Sequence, residues 1–255
     1  MISPLAYVDA DAKIGKNAIV HPFAFIDKNV VVGDDCEIMP FASLMSGTRL
    51  GNRNRIFNGA VISAEPQDFN FKKGTESFVV IGDDNDIREN VVINCSSLAG
   101  ESTTIGNGNA IHEGVHIAHD TKIANNCVLG YGCKISGYCN LENNVICGGN
   151  VLVSQGCRIG QYALIQTGCR TRKDVPPYIV AAHEPIEYFG VNDVILQRDN
   201  YDEKIIRHMS HAYRIIFQGK GDVVELAKLV KDQVPMSQEI QNIVDFIEVS
   251  KLGVI

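Results

Sequence analysis

The chain has 255 residues, 45% of them hydrophobic, and 30 acidic against 23 basic side chains leave a formal charge of −7. With a pI near 5.5 it lacks the basic surface that binding to a phosphate backbone requires, so nucleic acid is not its expected partner. No run approaches the roughly 18 apolar residues of a membrane span, and the start MISPLAYVDADAKIG lacks the regions of a signal peptide; a soluble, cytoplasmic protein is expected.

From the N-terminus an aliphatic residue recurs at every sixth position: Ile2, Val8, Ile14, Val20, Ile26, Val32, Ile38, Leu44, Leu50, Ile56 and Ile62. The beat resumes at Ile81, Ile87 and Ile93, then runs from Ile105 to Leu141 and through Val153, Ile159 and Ile165, with Ala99 and Cys147 as weak members. Neither helical nor alternating-strand periodicity yields a six-residue beat. It marks a parallel β-helix, in which short strands stack coil on coil, three hexads to a triangular coil. The expected fold is therefore all-β over residues 1–178, with Gly, Asn and Asp turning the corners in IGKN, VGDD, LGNRN and IGDDN.

Ile81 lies 19 positions after Ile62, one more than three hexads. The segment between them, at about 63–80, mixes charge, aromatics and Gly and is expected to leave the coil as a loop. Long loops on a repeat scaffold tend to carry function. The stretch CSSLAGEST, at 95–103, keeps the six-residue register while losing its aliphatic beat.

Three histidines fall in IHEGVHIAHD, residues 111–120. On a helix, His112 and His116 would have a zinc-ligating spacing. The hexad register instead puts His112, His116 and His119 at positions two, six and three, pointing in different directions, so no metal is expected. A three-histidine zinc site, as in hexapeptide-repeat hydratases, is the alternative. Steps of 18 residues from His119 land on Gly137 and then Gln155, stacking an imidazole, a glycine and an amide about one strand spacing apart. A glycine N–H beside a histidine can receive a developing oxyanion while the histidine takes a proton, and Asp120 can orient the imidazole. A surface histidine above a tight-turn glycine would give the same pattern.

Of the eight cysteines, Cys36, Cys127, Cys133, Cys139, Cys157 and Cys169 all occupy position five of a hexad. Cys127, Cys133 and Cys139 fall on three faces and cannot converge on one ion, and no CxxC pair exists. Buried packing thiols, kept reduced in a cytosol, are expected.

After KDVPPY, at 173–178, the beat stops. Residues 179–200 connect to a helical region at 201–255. There Asp202 is expected to cap a first helix, Asp222 and Glu225 to form a capping box, and Ser237 to open a third helix with Gly253 near its end. A tail of this size cannot bury a core alone, so it should pack on the β-helix or on a neighbouring subunit.

The PQDF loop, IGDDNDIREN, VHIAHD, DVPPY, FGVN and the closing helices, in that order, resemble the UDP-N-acetylglucosamine O-acyltransferases that begin lipid A synthesis. The resemblance runs nearly end to end. It implies a homotrimer of left-handed parallel β-helices, each with a small C-terminal α-helical domain and active sites in the clefts between subunits. It also implies transfer of a 3-hydroxyacyl chain from the phosphopantetheine of acyl carrier protein to the glucosamine 3-hydroxyl of UDP-N-acetylglucosamine, with no metal or tightly bound cofactor. By the same resemblance His119 is the general base, Asp120 its supporting carboxylate and the Gly137 N–H the oxyanion donor. Asp68, His116, Gln155, Asn192 and Arg198 match positions contacting the nucleotide sugar or acyl chain.

The chain departs from this pattern in several places. Asn70 stands where a lysine is expected, with Lys72 or Lys73 in reach of the same phosphate. Tyr138 replaces a histidine after the oxyanion glycine, Ser154 replaces one before Gln155, Asp199 follows Arg198 in place of a second arginine, and Val194 replaces an acidic residue. Thr167 stands where relatives commonly carry glycine at the far end of the acyl groove. A larger side chain there should shorten the acyl chain accepted. Arg170, Arg172 and Lys173, with Lys204, Arg207, Arg214 and Lys220 on the tail, are expected to recruit the acidic carrier protein. The other readings are a diverged paralogue acylating another sugar nucleotide and a non-catalytic solenoid binding carrier protein or sugar nucleotide.

Overall fold

The computed structural model describes all 255 residues. Short parallel strands, most of them two residues long, form sheets of nine, eight and ten strands. The chain visits the three sheets in turn, so residues 18 apart in the repeat become neighbours: His116 pairs with Lys134 and Lys134 with Leu152. This is a left-handed parallel β-helix with a small helical domain at its C-terminal end.

The hexad explains each coil. Position one points inward, and Ile26, Ile38, Leu44, Ile87 and Ile117 are fully buried, each such side chain being worth about 1.5–3 kcal/mol. Cys147 takes its place in this column and is buried as deeply. Position four adopts a left-handed conformation, with φ between 55° and 57° at Asn17, Asn29, Asp35, Asn126 and Asn150, which favours Asn, Asp and Gly. At position two the next coil's backbone comes close. A Cβ on Gly33 would lie 2.3 Å from the Gly51 carbonyl oxygen.

The two irregular segments are both insertions. Ile81 pairs with Leu50 and Ile105 with Ile81, steps of 31 and 24 positions in place of 18, so 13 and then 6 residues leave the coil. The first is the expected loop. The second corrects the reading of 95–103 as an in-register coil: Ala99 is exposed and is no beat at all. An insertion one hexad long preserves the period while the chain departs from the barrel. Both loops leave after strands of the nine-stranded sheet, Val61–Ala64 and Val92–Asn94, and the next strand in that sheet is His116–Ile117. The two insertions and His119 therefore share one corner on three consecutive coils.

All eight cysteines are free and buried. Position-five thiols donate to the carbonyls of the following coil, as from Cys127 to Glu142 and Cys133 to Gly148. Burial pushes Cys127 and Cys157 up to about 11, which leaves thiols and no nucleophile. In the same slot Asn54, Asn85 and Asn109 form a buried ladder. Asn85 Nδ2 donates to Asn54 Oδ1 at 2.9 Å, and Asn85 Oδ1 accepts from the N–H and the amide of Asn109, both at 2.9 Å.

Past the last coil, strands Ile179–Ala182 and Glu187–Val191 extend the ten-stranded sheet. Helices α1 (Asp193–Arg198), α2 (Glu203–Gln218), α3 (Val223–Gln233) and α4 (Gln238–Glu248) follow. Asp202 and Ser237 cap α2 and α4 as expected. Asp222 accepts from Val224 and Glu225, and the return bond of a full capping box does not form. Tyr188, Tyr213 and Phe217 stack with centroids 4.8–5.8 Å apart and fix α2 to the end of the β-helix. Asp174 closes that end, its N–H donating to the Gly253 carbonyl at 2.9 Å. No helix is long and apolar enough to cross a membrane.

Candidate active site

The shared corner builds the site. His119 sits at position three with its side chain 8% exposed, directly over Gly137: a Cβ there would lie 2.7 Å from His119 Cε1. Glycine is thus required for the imidazole to lie flat on the next rung. The Gly137 N–H donates to no group of the chain and remains available beside the ring. Gln155 follows one rung further and is exposed.

Asp120 holds the imidazole through Nδ1, at 2.8 Å from Oδ2. The left-handed turn at Asp120, φ 60°, folds its carboxylate back beneath the ring it follows. Burial pushes this carboxyl up, but hydrogen bonds from Ser96, Ser97 and His119 outweigh it and hold the group below the ordinary carboxylate range. The group is therefore ionised and carries no proton, so Nδ1–H is the donor, and in the neutral ring that bond places the lone pair on Nε2. Asp68, from the expelled loop, reaches Nε2 with Oδ2 at 3.6 Å, too long for a hydrogen bond. Tyr138 stands edge-on to His119, centroids 5.2 Å apart.

His119, Asp120, Gly137, Tyr138, Gln155 and Asp68 thus converge. Asn70 lies on the same loop, its N–H donating to Asp68 Oδ1 at 2.7 Å, and Lys72 is exposed two residues on. His116 lies half-buried on the strand leading in, beside Gln67 and Lys134. Burial, then Lys134 and His119, hold it below its usual range. Thr167, Asn192 and Arg198 do not join this corner. Exposed Thr167 turns between the ten- and nine-stranded sheets, above Gly149 and Tyr131. Asn192 is buried, its amide donating to the Tyr162 carbonyl at 2.9 Å, at the third corner. Arg198 is exposed and pairs with Asp199. His112 is exposed, and no group of three His, Cys, Asp or Glu side chains is placed to hold a metal. Ser96 and Ser97 escaped the sequence reading, because the insertion that carries them is one hexad long and leaves the beat undisturbed.

A hexapeptide coil presenting a histidine–aspartate pair over a glycine N–H defines a hexapeptide-repeat acyltransferase, and residues 102–137 match the bacterial transferase hexapeptide repeat. Residues 174–255 match the second domain of UDP-N-acetylglucosamine O-acyltransferase. The chain is 32% identical to the acyl-carrier-protein–UDP-N-acetylglucosamine O-acyltransferase of Syntrophobacter fumaroxidans, over 100% of this chain and 99% of that protein. It is 36% identical to that of Xanthomonas oryzae, over 98% and 96%. Among solved structures, the UDP-N-acetylglucosamine acyltransferase of Bacteroides fragilis superposes with a TM-score of 0.98 at 49% identity, covering 100% of both chains. That of Francisella novicida gives 0.95 at 33%, over 100% of this chain and 94% of the other. The chain belongs to the UDP-N-acetylglucosamine O-acyltransferase family and is an acyltransferase.

Proposed function

We propose that the protein moves a 3-hydroxyacyl chain from acyl carrier protein to the 3-hydroxyl of UDP-N-acetylglucosamine, with His119 as general base. The observation that carries the reading is the histidine pinned by Asp120 over the Gly137 N–H. His119 Nε2 takes the proton of the sugar hydroxyl as its oxygen attacks the thioester carbonyl carbon. The Gly137 N–H stabilises the oxyanion. Collapse of the intermediate expels the phosphopantetheine thiolate, which recovers the proton from the imidazolium. Asp68, beside Nε2, accepts from the sugar and holds it there. The acyl group arrives already activated, so the chemistry calls for no metal or cofactor.

The working form is a cytoplasmic homotrimer. This is supported by Thr167, Asn192 and Arg198 lying at corners other than that of His119: they line the same substrate only when a neighbouring copy supplies them. Thr167 shortens the acyl chain accepted. Arg170, Arg172 and Lys173 line one groove with Pro185 and Ile186, which supports recruitment of the acidic carrier there.

Turnover of UDP-N-acetylglucosamine with a panel of 3-hydroxyacyl carriers tests the reading. We expect a 3-O-acyl product, fastest with the shorter chains, and a loss of about 10²–10⁴ in kcat for His119→Ala. A His119→Ala variant as active as the parent refutes the base, and absence of product with every carrier refutes the reaction.

A further inference from the structure

The six-residue insertion at the active corner does more than bulge. Its residues Ser96 and Ser97 enclose Asp120. Ser96 Oγ donates to Oδ1, while the Ser97 N–H and Oγ both reach Oδ2, at 3.1 and 2.7 Å. With His119 Nδ1, the carboxylate accepts four hydrogen bonds, and neither oxygen is left to rotate. Ser97 Oγ also lies 3.0 Å from the Tyr138 hydroxyl. A serine has one proton, and the carboxylate takes it, so Tyr138 must donate to Ser97. Donation thus runs in one direction, from Tyr138 to Ser97 to Asp120.

We propose that Ser97, secured by the Tyr138 hydroxyl, is a positioning residue that holds the Asp120 carboxylate against His119 Nδ1 and so keeps Nε2 as the free base. Ser96 fixes the other oxygen from the same loop. Tyr138 occupies the rung of the oxyanion donor, with a left-handed φ of 59° that is costly for an aromatic residue. That conformation aims its hydroxyl back across the ring of His119 to the loop. The proposal rests on His119 being the general base.

Loss of the Ser97 hydroxyl removes one of the four bonds to the carboxylate and leaves those from the Ser97 N–H, Ser96 and His119, with two effects. The carboxylate is held less firmly at Oδ2, so the ring is less strictly fixed in one tautomer. Its charge is also less dispersed, which favours the imidazolium. The titratable groups facing His119 are Asp120, Asp68, Tyr138 and His116. Asp120 further adjoins Cys95 and a groove lined by Lys122, Arg158, Asp174 and Lys251. Of these, only Asp120 and Tyr138 lose a bond in Ser97→Ala.

The test compares Ser97→Ala, Ser97→Thr and Tyr138→Phe with the parent. We expect Ser97→Ala to lose roughly tenfold in kcat with KM for the sugar nucleotide unchanged. The acidic limb of its kcat/KM profile should move to higher pH, and Ser97→Thr should restore both. Tyr138→Phe, which keeps the ring and removes only the donor, should show the same changes at smaller size. ¹⁵N shifts of labelled His119, assigned with His119→Ala, should report the Nδ1–H tautomer in the parent and a mixture in Ser97→Ala. That measurement needs no turnover, so it distinguishes failure of the clamp from failure of the proposed reaction. A parent-like limb and tautomer in Ser97→Ala, whether or not kcat falls, overturns the proposal.

Discussion

At the scale of single residues, the histidine, its aspartate and the glycine below were legible in the sequence because stacking follows from the 18-residue step. Their bonding partners were not. Ser96 and Ser97 arrive on a loop whose course no period encodes. Asp120 yields a prediction on stability. Its carboxyl is held below the ordinary range in the folded chain, so it contributes stability that is present above the unfolded carboxylate pKa. That contribution is lost as pH falls through the folded value. In urea melts, Asp120→Asn should therefore be less stable than the parent at about pH 7, with the gap closing as pH falls below about 4. A gap independent of pH would mean that the asparagine loses shape complementarity and not charge.

At the scale of the element, the repeat fixes where each side chain points but hides insertions that match its length. The 13-residue loop betrayed itself by shifting the beat by one, whereas the six-residue loop cost the beat only its aliphatic residue. Position five carries another feature that the sequence concealed. A column read through its cysteines as packing thiols also holds three buried asparagines, linked from Asn109 to Asn85 to Asn54. Asn85→Ala removes the middle member. It leaves the Asn109 N–H buried without a partner, while the Asn54 oxygen keeps the residue-85 N–H and the Asn109 amide keeps the Ala124 carbonyl. We expect a loss of about 1–3 kcal/mol in urea unfolding. A loss under about 0.5 kcal/mol would show that neighbouring coils close over the gap.

At the scale of the whole molecule, one chain places the residues proposed to meet the substrate at three corners of a triangular prism. His119, Gly137 and Asp68 share one corner, Thr167 belongs to the second, and Asn192 lies at the third with Arg198 just beyond it on α1. A triangular coil keeps its corners apart by the length of a side, so a single substrate cannot touch all three on one copy. In a cyclic trimer each cleft sets one copy's histidine corner against another corner of its neighbour. His119→Ala and Arg198→Ala then damage different halves of the same cleft. Each homotrimer should be nearly inactive. Arg198 is exposed and bonded only to Asp199, so its loss should leave the fold intact. When the two variants are mixed in equal amounts and reassembled, about one cleft in four should combine both intact halves by random assortment. Activity should return to about that fraction of the parent, in a particle three times the 27.9-kDa chain. A site confined to one chain would regain nothing on mixing, since every copy would still carry a defect, and that result would remove the inter-subunit cleft from the mechanism.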